Sequence, residues 1–163
     1  MSRAVLSLGS NMGDRKAYLQ GAVAALGRAV RTVSAIYRTP PWGGVEQRDY
    51  YNIVVLAEDD GIDPNGWWER CMALELAAGR ERLVRWGPRT LDADVVTVDL
   101  HGHPVVSDDP ELTLPHPRAA ERAFVLVPWM EVDPTAELVG IGPIADLVEA
   151  LDTSGITRVG HVR

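Results

Sequence analysis

The chain has 163 residues, of which 46% are hydrophobic and 24% are charged, so it can form one domain, over residues 1–163, with its own core. The formal net charge of −7 argues against a general binder of nucleic acids or membrane surfaces. Cys71 is the single cysteine, which excludes an internal disulfide and fits a reducing cytoplasm. Met1 leads directly into an apolar segment, so we expect no signal peptide, and no apolar run approaches the roughly 20 residues that span a bilayer.

The first hundred residues alternate between strand and helix signals. The predicted order is strand, helix, strand, strand, helix, strand, with the strands at 4–8, 31–39, 51–57 and 92–100. Asp14 is a helix cap ahead of apolar positions at helical spacing, and Asp63 with Pro64 begins a second helix that ends at Gly79. This order predicts an α+β, ferredoxin-like βαββαβ core, an antiparallel sheet with both helices on one face.

The remaining residues predict a C-terminal extension of this core. His101 and Gly102 have the character of a hairpin turn into residues 105–106. Residues 115–122 predict a loop with a short helix, and the apolar segment 124–132 contains Pro128. An amphipathic helix at 144–151 and an edge strand at 156–162 complete the prediction.

The stretch Arg85-Trp86-Gly87-Pro88-Arg89-Thr90-Leu91-Asp92-Ala93-Asp94 carries the strongest functional signal. On a strand, Asp92 and Asp94 share a face, and the alternation adds Val96, Val98 and Leu100 to it. Two carboxylates this close repel each other unless a cation lies between them. Mg²⁺ takes one or two carboxylates together with water and phosphate oxygens, so the pair suits a metal-bound polyphosphate. Two solvated aspartates at the start of a strand are the alternative.

Other candidates support the same chemistry less specifically. Arg80, Arg82, Arg85 and Arg89 form a basic segment in an acidic chain, although a solvated loop has the same composition. The segment from Gly9 to Lys16 lacks the spacing of a phosphate-binding P-loop and predicts a strand-to-helix turn.

Two further sets of residues have a functional and a structural interpretation. His116, in a turn between two prolines, either donates to a phosphate oxygen or is a structural hydrogen-bonding residue. Trp42, Tyr50 and Phe124 either pack in the core or, together with Asn52, clamp a flat polar heterocycle.

The ordered motifs resemble the 6-hydroxymethyl-7,8-dihydropterin pyrophosphokinase family of the folate pathway. The matching segments run from about residue 4 to 133. They are Leu8-Gly9-Ser10-Asn11 with Gly13-Asp14, Tyr37-Arg38-Thr39-Pro40-Pro41, Asp49-Tyr50-Tyr51-Asn52, Glu75-Leu76 before Gly79-Arg80, Arg85 to Asp94, and Leu112-Thr113-Leu114-Pro115-His116 followed by Arg122, Phe124 and Pro128. The segment from Arg85 to Asp94 is the most specific of them.

The resemblance implies transfer of pyrophosphate from MgATP to the hydroxymethyl group of the pterin, which leaves AMP. It implies that Asp92 and Asp94 hold two Mg²⁺ ions and, with Arg82 and Arg89, form the catalytic set. The residues implied to surround ATP are Glu75, Arg80, Trp86, Thr113, His116 and Arg122. The residues implied to line the pterin site are Thr39, Pro40, Trp42, Tyr50, Asn52 and Phe124. Segments 40–50 and 79–90 would be loops that close over the substrates and exclude water.

Other functions of this fold remain as alternatives. A ferredoxin-like regulatory module that binds a small molecule without catalysis explains the fold but not the paired acids beside arginines. RNA binding is disfavoured by the charge and by the absence of an aromatic-rich sheet motif. We expect a cytoplasmic monomer whose substrates are ATP and the pterin, with no nucleic-acid or membrane partner.

Overall fold

A seven-stranded antiparallel sheet is the centre of the molecule. The computed structural model describes residues 1–41, 44, 46–79 and 89–162. The helices are α1 (Arg15–Leu26), α2 (Pro64–Ala77), α3 (Ala123–Val132) and α4 (Ile144–Ala150). The strands are β1 (Ser2–Ser10), β2 (Val30–Val33), β3 (Ala35–Thr39), β4 (Tyr50–Asp59), β5 (Asp92–Leu100), β6 (His103–Pro104), β7 (Ser107–Asp109), β8 (Leu112–Leu114), β9 (Glu137–Leu138), β10 (Gly142–Pro143) and β11 (Thr157–His161).

The order across the sheet is β11-β3-β4-β1-β5-β6, with β2 also paired to β4. Strand β1 therefore lies between β4 and β5, and α1 and α2 connect strands that are not neighbours. This is the split βαβ arrangement of the ferredoxin-like fold, as the order of elements in the sequence predicts.

The sheet separates two apolar layers. Leu6 and Ile53 face α1 and α2, whose buried side chains include Leu19 and Trp67. The predicted core position of Cys71 is confirmed, because its thiol is buried in this layer. On the opposite face, Val54 packs against α3 and α4. The alternation of side chains along β4 thus provides both layers with core residues.

The predicted strand 31–39 is divided at Ser34. Val33 pairs with Val55 and Tyr37 pairs with Asn52, so the register shifts by one residue between them. Ser34 N donates to Val54 O at 2.9 Å, and Ser34 Oγ accepts from Val54 N at 2.9 Å. The hydroxyl replaces a backbone carbonyl as the acceptor, which a pattern of apolar residues does not reveal.

A β-bulge in β5 corrects the predicted face of this strand. Val5 pairs with Thr97 but Leu6 pairs with Val95, so Val96 is an extra residue. Val96 packs in the α3 layer, whereas Val98 packs in the α1 and α2 layer. Asp92 and Asp94 therefore share the α3 face with Val96, and the prediction that Val98 and Leu100 also lie on that face is wrong.

The C-terminal extension covers the second face of the sheet. His101 and Gly102 have φ values of 52° and 80°, which confirms the predicted hairpin turn. The following strand is β6, and not residues 105–106 as predicted. Helix α3 continues through Pro128, and β11 confirms the predicted edge strand. Within the part of the chain described above, every helix is too short or too polar to cross a membrane.

Candidate active site

A row of side chains crosses the sheet on the α3 face. The strand register places Tyr37 opposite Asn52, Asn52 opposite Gly9, and Gly9 opposite Asp92. Paired residues of antiparallel strands point to the same face, so four strands contribute to one surface. Predicted pterin-binding and metal-binding residues thus lie in the same row.

The amide of Asn52 is fixed at the centre of this row. Its Nδ2 donates to Thr39 Oγ1 at 2.6 Å, and the hydrogen bond is buried. A Cβ atom on Gly9 would lie 2.5 Å from Asn52 Oδ1 and 3.3 Å from Tyr50 Cδ1. Only glycine leaves room for the Asn52 amide here, since 2.5 Å is far below the usual contact distance between carbon and oxygen.

Asp92 and Asp94 extend the row on β5. Two residues apart on a strand, their Cα atoms are separated by about 7 Å, so their carboxylates can share one cation or hold adjacent ones. The Glu75 carboxylate, on the opposite face, accepts a hydrogen bond from Ala93 N at 3.0 Å. Glu75 is buried, so it fixes the backbone between the two aspartates.

The carboxylate oxygens of Asp92 and Asp94 are ligands suited to a metal ion that also binds substrate. Among the described residues, no group of three or more His, Cys, Asp or Glu side chains could hold a metal ion. The aspartate pair supplies two hard oxygen ligands, and water and phosphate oxygens would complete the coordination. Mg²⁺ prefers such a site, since it keeps several waters and binds substrate phosphates.

Arg122 places a buried positive charge beside the aspartates. Its guanidinium Nη1 lies 3.9 Å from Asp94 Oδ2, and its Cζ lies 5.5 Å from the centre of the Phe124 ring. Burial lowers the pKa of Arg122, and the nearby carboxylates of Asp94 and Asp92 oppose that shift. Arg122 Nε and Thr90 Oγ1 are buried and have no hydrogen-bond partner among the described residues. Both are donors that an anionic ligand would satisfy.

His116 is held as a neutral ring next to this arginine. Its Nδ1 accepts a hydrogen bond from Arg118 N at 3.2 Å, which leaves the proton of the neutral ring on Nε2. Burial lowers the pKa of His116 to about 4, with smaller contributions from Arg122 and Arg118. The His116 backbone N donates to Val96 O at 2.8 Å, which anchors the turn at the bulge of β5.

Asn11 connects three segments around the site, although no role is predicted for its side chain from the sequence. Its Oδ1 accepts from Arg89 N at 2.7 Å, and its own N donates to Arg89 O at 3.0 Å. Its Nδ2 donates to Gln47 Oε1 at 2.7 Å and to Arg48 O at 3.0 Å. The turn after β1 therefore ties the loop before β4 to the segment before β5.

The remaining predicted site residues have separate environments. Thr113 Oγ1 donates to Asp109 O at 3.0 Å within the small β7-β8 hairpin. Pro40 is exposed, and its ring borders Gly155 in the C-terminal extension. Trp42, Arg80, Arg82 and Trp86, together with most of the predicted 79–90 loop, lie outside the described residues.

Paired carboxylates beside a buried arginine, on an α+β sheet, are suited to an enzyme that transfers phosphoryl groups with a metal, because such an enzyme must bind the metal and neutralise phosphate charge. Comparison with family models identifies the particular family within this class of enzymes. The chain belongs to the 7,8-dihydro-6-hydroxymethylpterin-pyrophosphokinase (HPPK) family, whose model matches residues 5–134.

Curated relatives agree with the family assignment. A protein of Mycobacterium leprae named 2-amino-4-hydroxy-6-hydroxymethyldihydropteridine pyrophosphokinase is 51% identical over 148 residues, which are 87% of this chain and 78% of that protein. A protein of the same name from Methylorubrum extorquens is 45% identical over 163 residues, covering 98% of this chain and 99% of that protein.

Solved structures support the fold. Wild-type HPPK-DHPS of Plasmodium falciparum matches 91% of this chain with a TM-score of 0.64 and 14% sequence identity. This chain spans 41% of that protein. At this level of identity, the likeness bears on the fold alone.

Replacing Asn11 tests its connecting role. Asn11→Ala removes three side-chain hydrogen bonds at a buried position, so we expect a loss of about 2–4 kcal/mol in the free energy of unfolding. Denaturant unfolding measures this loss, and faster amide hydrogen exchange at Arg89 would locate it. Asn65→Ala, at an exposed position in α2, is the matched control. Equal effects of the two substitutions would contradict the role of Asn11.

The lowered pKa of His116 predicts a pH-dependent stability. The pKa of His116 is 6.5 in the unfolded chain and about 4 in the folded chain. Between these two pH values, the ring is protonated in the unfolded chain but remains neutral in the folded chain. The contribution of neutral His116 is therefore complete above pH 6.5 and decreases as the pH falls toward 4. We expect the stability difference between wild type and His116→Gln to change by about 1–3 kcal/mol over this range.

Urea unfolding at pH 7.5 and pH 5.0 measures this difference. His103→Gln, on the exposed β6 hairpin, is the control for removing a histidine. If the stability difference between wild type and His116→Gln is the same at both pH values, folding does not lower the pKa of His116.

Proposed function

We infer that this chain is an ATP-dependent diphosphokinase that transfers pyrophosphate from ATP to 6-hydroxymethyl-7,8-dihydropterin in folate biosynthesis. Membership of the HPPK family supports this activity, as do curated relatives of that name at 45–51% identity. The geometric observation that carries it is the row joining Asn52, Gly9 and Asp92, which brings an amide suited to a heterocycle close to carboxylates suited to metal-bound phosphate.

The pterin lies at the Asn52 end of the row in this proposal. The Asn52 amide, oriented by Thr39, provides a donor and an acceptor for the polar edge of the flat ring. Gly9 leaves space for the amide, and the aromatic surfaces for the pterin would be Tyr50, whose ring borders Gly9, and Phe124, whose ring lies beside Arg122. Pro40 and Trp42 complete the proposed pterin-binding set.

The phosphates of ATP lie at the Asp92 end. Asp92 and Asp94 would hold Mg²⁺, which neutralises phosphate charge when it is bound. Arg122 Nε and Thr90 Oγ1 donate to phosphate oxygens, which satisfies two buried donors at once. His116 adds a donor from Nε2 and remains neutral at physiological pH because its pKa is about 4. Glu75, Arg80, Trp86 and Thr113 complete the proposed ATP-binding set.

The chemistry requires positioning more than a protein nucleophile. The hydroxymethyl oxygen of the pterin attacks the β-phosphorus of ATP and loses its proton, and the bond from that phosphorus to the α,β-bridging oxygen breaks. AMP leaves with the bridging oxygen, and the pterin keeps the diphosphate. Arg82 and Arg89 stabilise the charge that accumulates on the transferred group.

We assign two Mg²⁺ ions to the aspartate pair, a monomeric state and a cytoplasmic location. The buried free thiol of Cys71 is consistent with a reducing compartment.

The products of the reaction test the function directly. With MgATP and the hydroxymethyldihydropterin, the protein should produce AMP and the pterin diphosphate in equal amounts, as resolved by anion-exchange chromatography. Formation of ADP, or no turnover, contradicts the proposal. Ligand binding that does not depend on Mg²⁺ and is accompanied by no turnover would instead favour a regulatory module.

Asp94→Asn tests the assignment of the metal. Because it keeps the shape but removes a charged ligand, turnover should fall by about 100-fold or more, and calorimetry should show weaker Mg²⁺-dependent ATP binding. Asp108→Asn, on the exposed strand β7, is the matched control. Turnover of Asp94→Asn close to that of the control would remove Asp94 from the metal site.

A further inference from the structure

A tight turn of the C-terminal extension lies against the pterin end of the proposed site. It comprises residues 152–156 and leads directly into β11, which is an edge strand of the main sheet. In the pairing of β11 with β3, Thr157 lies opposite Arg38. Continuing this antiparallel register by two residues brings Gly155 next to Pro40, a residue of the proposed pterin-binding set.

Hydrogen bonds within the turn fix the position of Gly155. Ile156 N donates to Thr153 O at 3.0 Å, which closes the turn. Asp152 Oδ1 accepts from Ser154 N at 2.9 Å and from Ser154 Oγ at 2.7 Å. An aspartate that binds the backbone two residues ahead stabilises a turn. The backbone of Gly155 therefore has a defined place beside the end of β3.

Gly155 approaches Pro40 too closely to carry a side chain without a shift of the proline. A Cβ atom on Gly155 would lie 3.2 Å from Pro40 Cγ and 3.3 Å from Pro40 Cδ. Both distances are below the optimum of about 3.5–4.0 Å between carbon atoms. The φ of Gly155 is outside the left-handed region, so the conformation of the turn does not require glycine. The close approach to Pro40 does.

Pro40 lies between this turn and the centre of the proposed site. It follows Thr39, whose hydroxyl accepts the hydrogen bond from the Asn52 amide. On the other side of β3, Thr39 pairs with Tyr50 of β4. Proline has no N–H with which to continue the pairing of β3 and β11, and its ring is fused to the backbone. Any displacement of the Pro40 ring therefore moves the backbone next to Thr39.

We propose that Gly155 is a positioning residue for the pterin and that it acts through Pro40. This inference rests on the proposed function, in which Thr39 and Pro40 contact the pterin. The turn at 152–156 supports Pro40 from the side opposite β4, so that the ring of the proline meets the flat heterocycle. The pterin site thus extends beyond residue 134, where the segment that the family model matches ends.

Gly155→Ala tests this role, and Gly160→Ala is the matched control. Gly160 lies on β11, and a Cβ there has open space around it. A methyl group on Gly155 should displace Pro40 by a few tenths of an ångström. Because a misplacement of about 1 Å can cost about 100-fold in rate, we expect kcat/KM for the pterin to fall by about three- to tenfold. Calorimetry should give the same affinity for MgATP in both variants, and their melting temperatures should agree, whereas a purely structural role of Gly155 would lower its melting temperature.

Pro40→Ala shows whether the effect passes through the proline ring. Alanine lacks the Cγ and Cδ atoms that the new methyl group would meet, so Gly155→Ala should cause no further loss in this background. The inference is overturned if Gly155→Ala has the same kcat/KM for the pterin as Gly160→Ala, or if it causes an equal loss after Pro40 has been replaced. In both cases wild type still releases AMP, and the proposed function stands. If wild type itself forms no AMP from MgATP and the pterin, the proposed function fails and this inference fails with it.

Discussion

The close approach of the Gly9 backbone to the Asn52 amide is the constraint on which the proposed site depends. No side chain fits between them, because a Cβ on Gly9 would lie 2.5 Å from Asn52 Oδ1. Gly9 belongs to β1, which pairs with β4 on one side and β5 on the other. The same residue therefore lies between the Asn52 end of the row and the aspartate pair.

The elements around this row maintain its geometry from three directions. Glu75 binds the backbone of Ala93 from the opposite face, and the bulge at Val96 follows directly after the aspartate pair. Asn11, two residues beyond Gly9, binds the segments that precede β4 and β5. A fold with a rigid centre and loops attached at defined points suits a reaction that depends on positioning two substrates.

The sequence predicts features that local patterns determine, and it fails where distant strands interact. Helix caps and alternation were sufficient for the βαββαβ order, and the Asp92 and Asp94 pair is visible as a local motif. The bulge at Val96 and the break at Ser34 arise from register and from hydrogen bonds with residues far along the chain. The roles of Asn11 and Gly9 have the same origin. A turn asparagine and a strand glycine look ordinary until their partners, Arg89 and Asn52, are known.

Gly9→Ala measures the central claim most directly. The methyl group should displace the Asn52 amide from Thr39. We therefore expect pterin affinity and turnover each to fall by about tenfold or more. A cooperative thermal unfolding transition would confirm that the variant is folded. Gly21→Ala is the matched control, since a Cβ at this exposed helical position has open space around it. If Gly9→Ala binds the pterin and turns over as Gly21→Ala does, the row across the sheet does not organise the site.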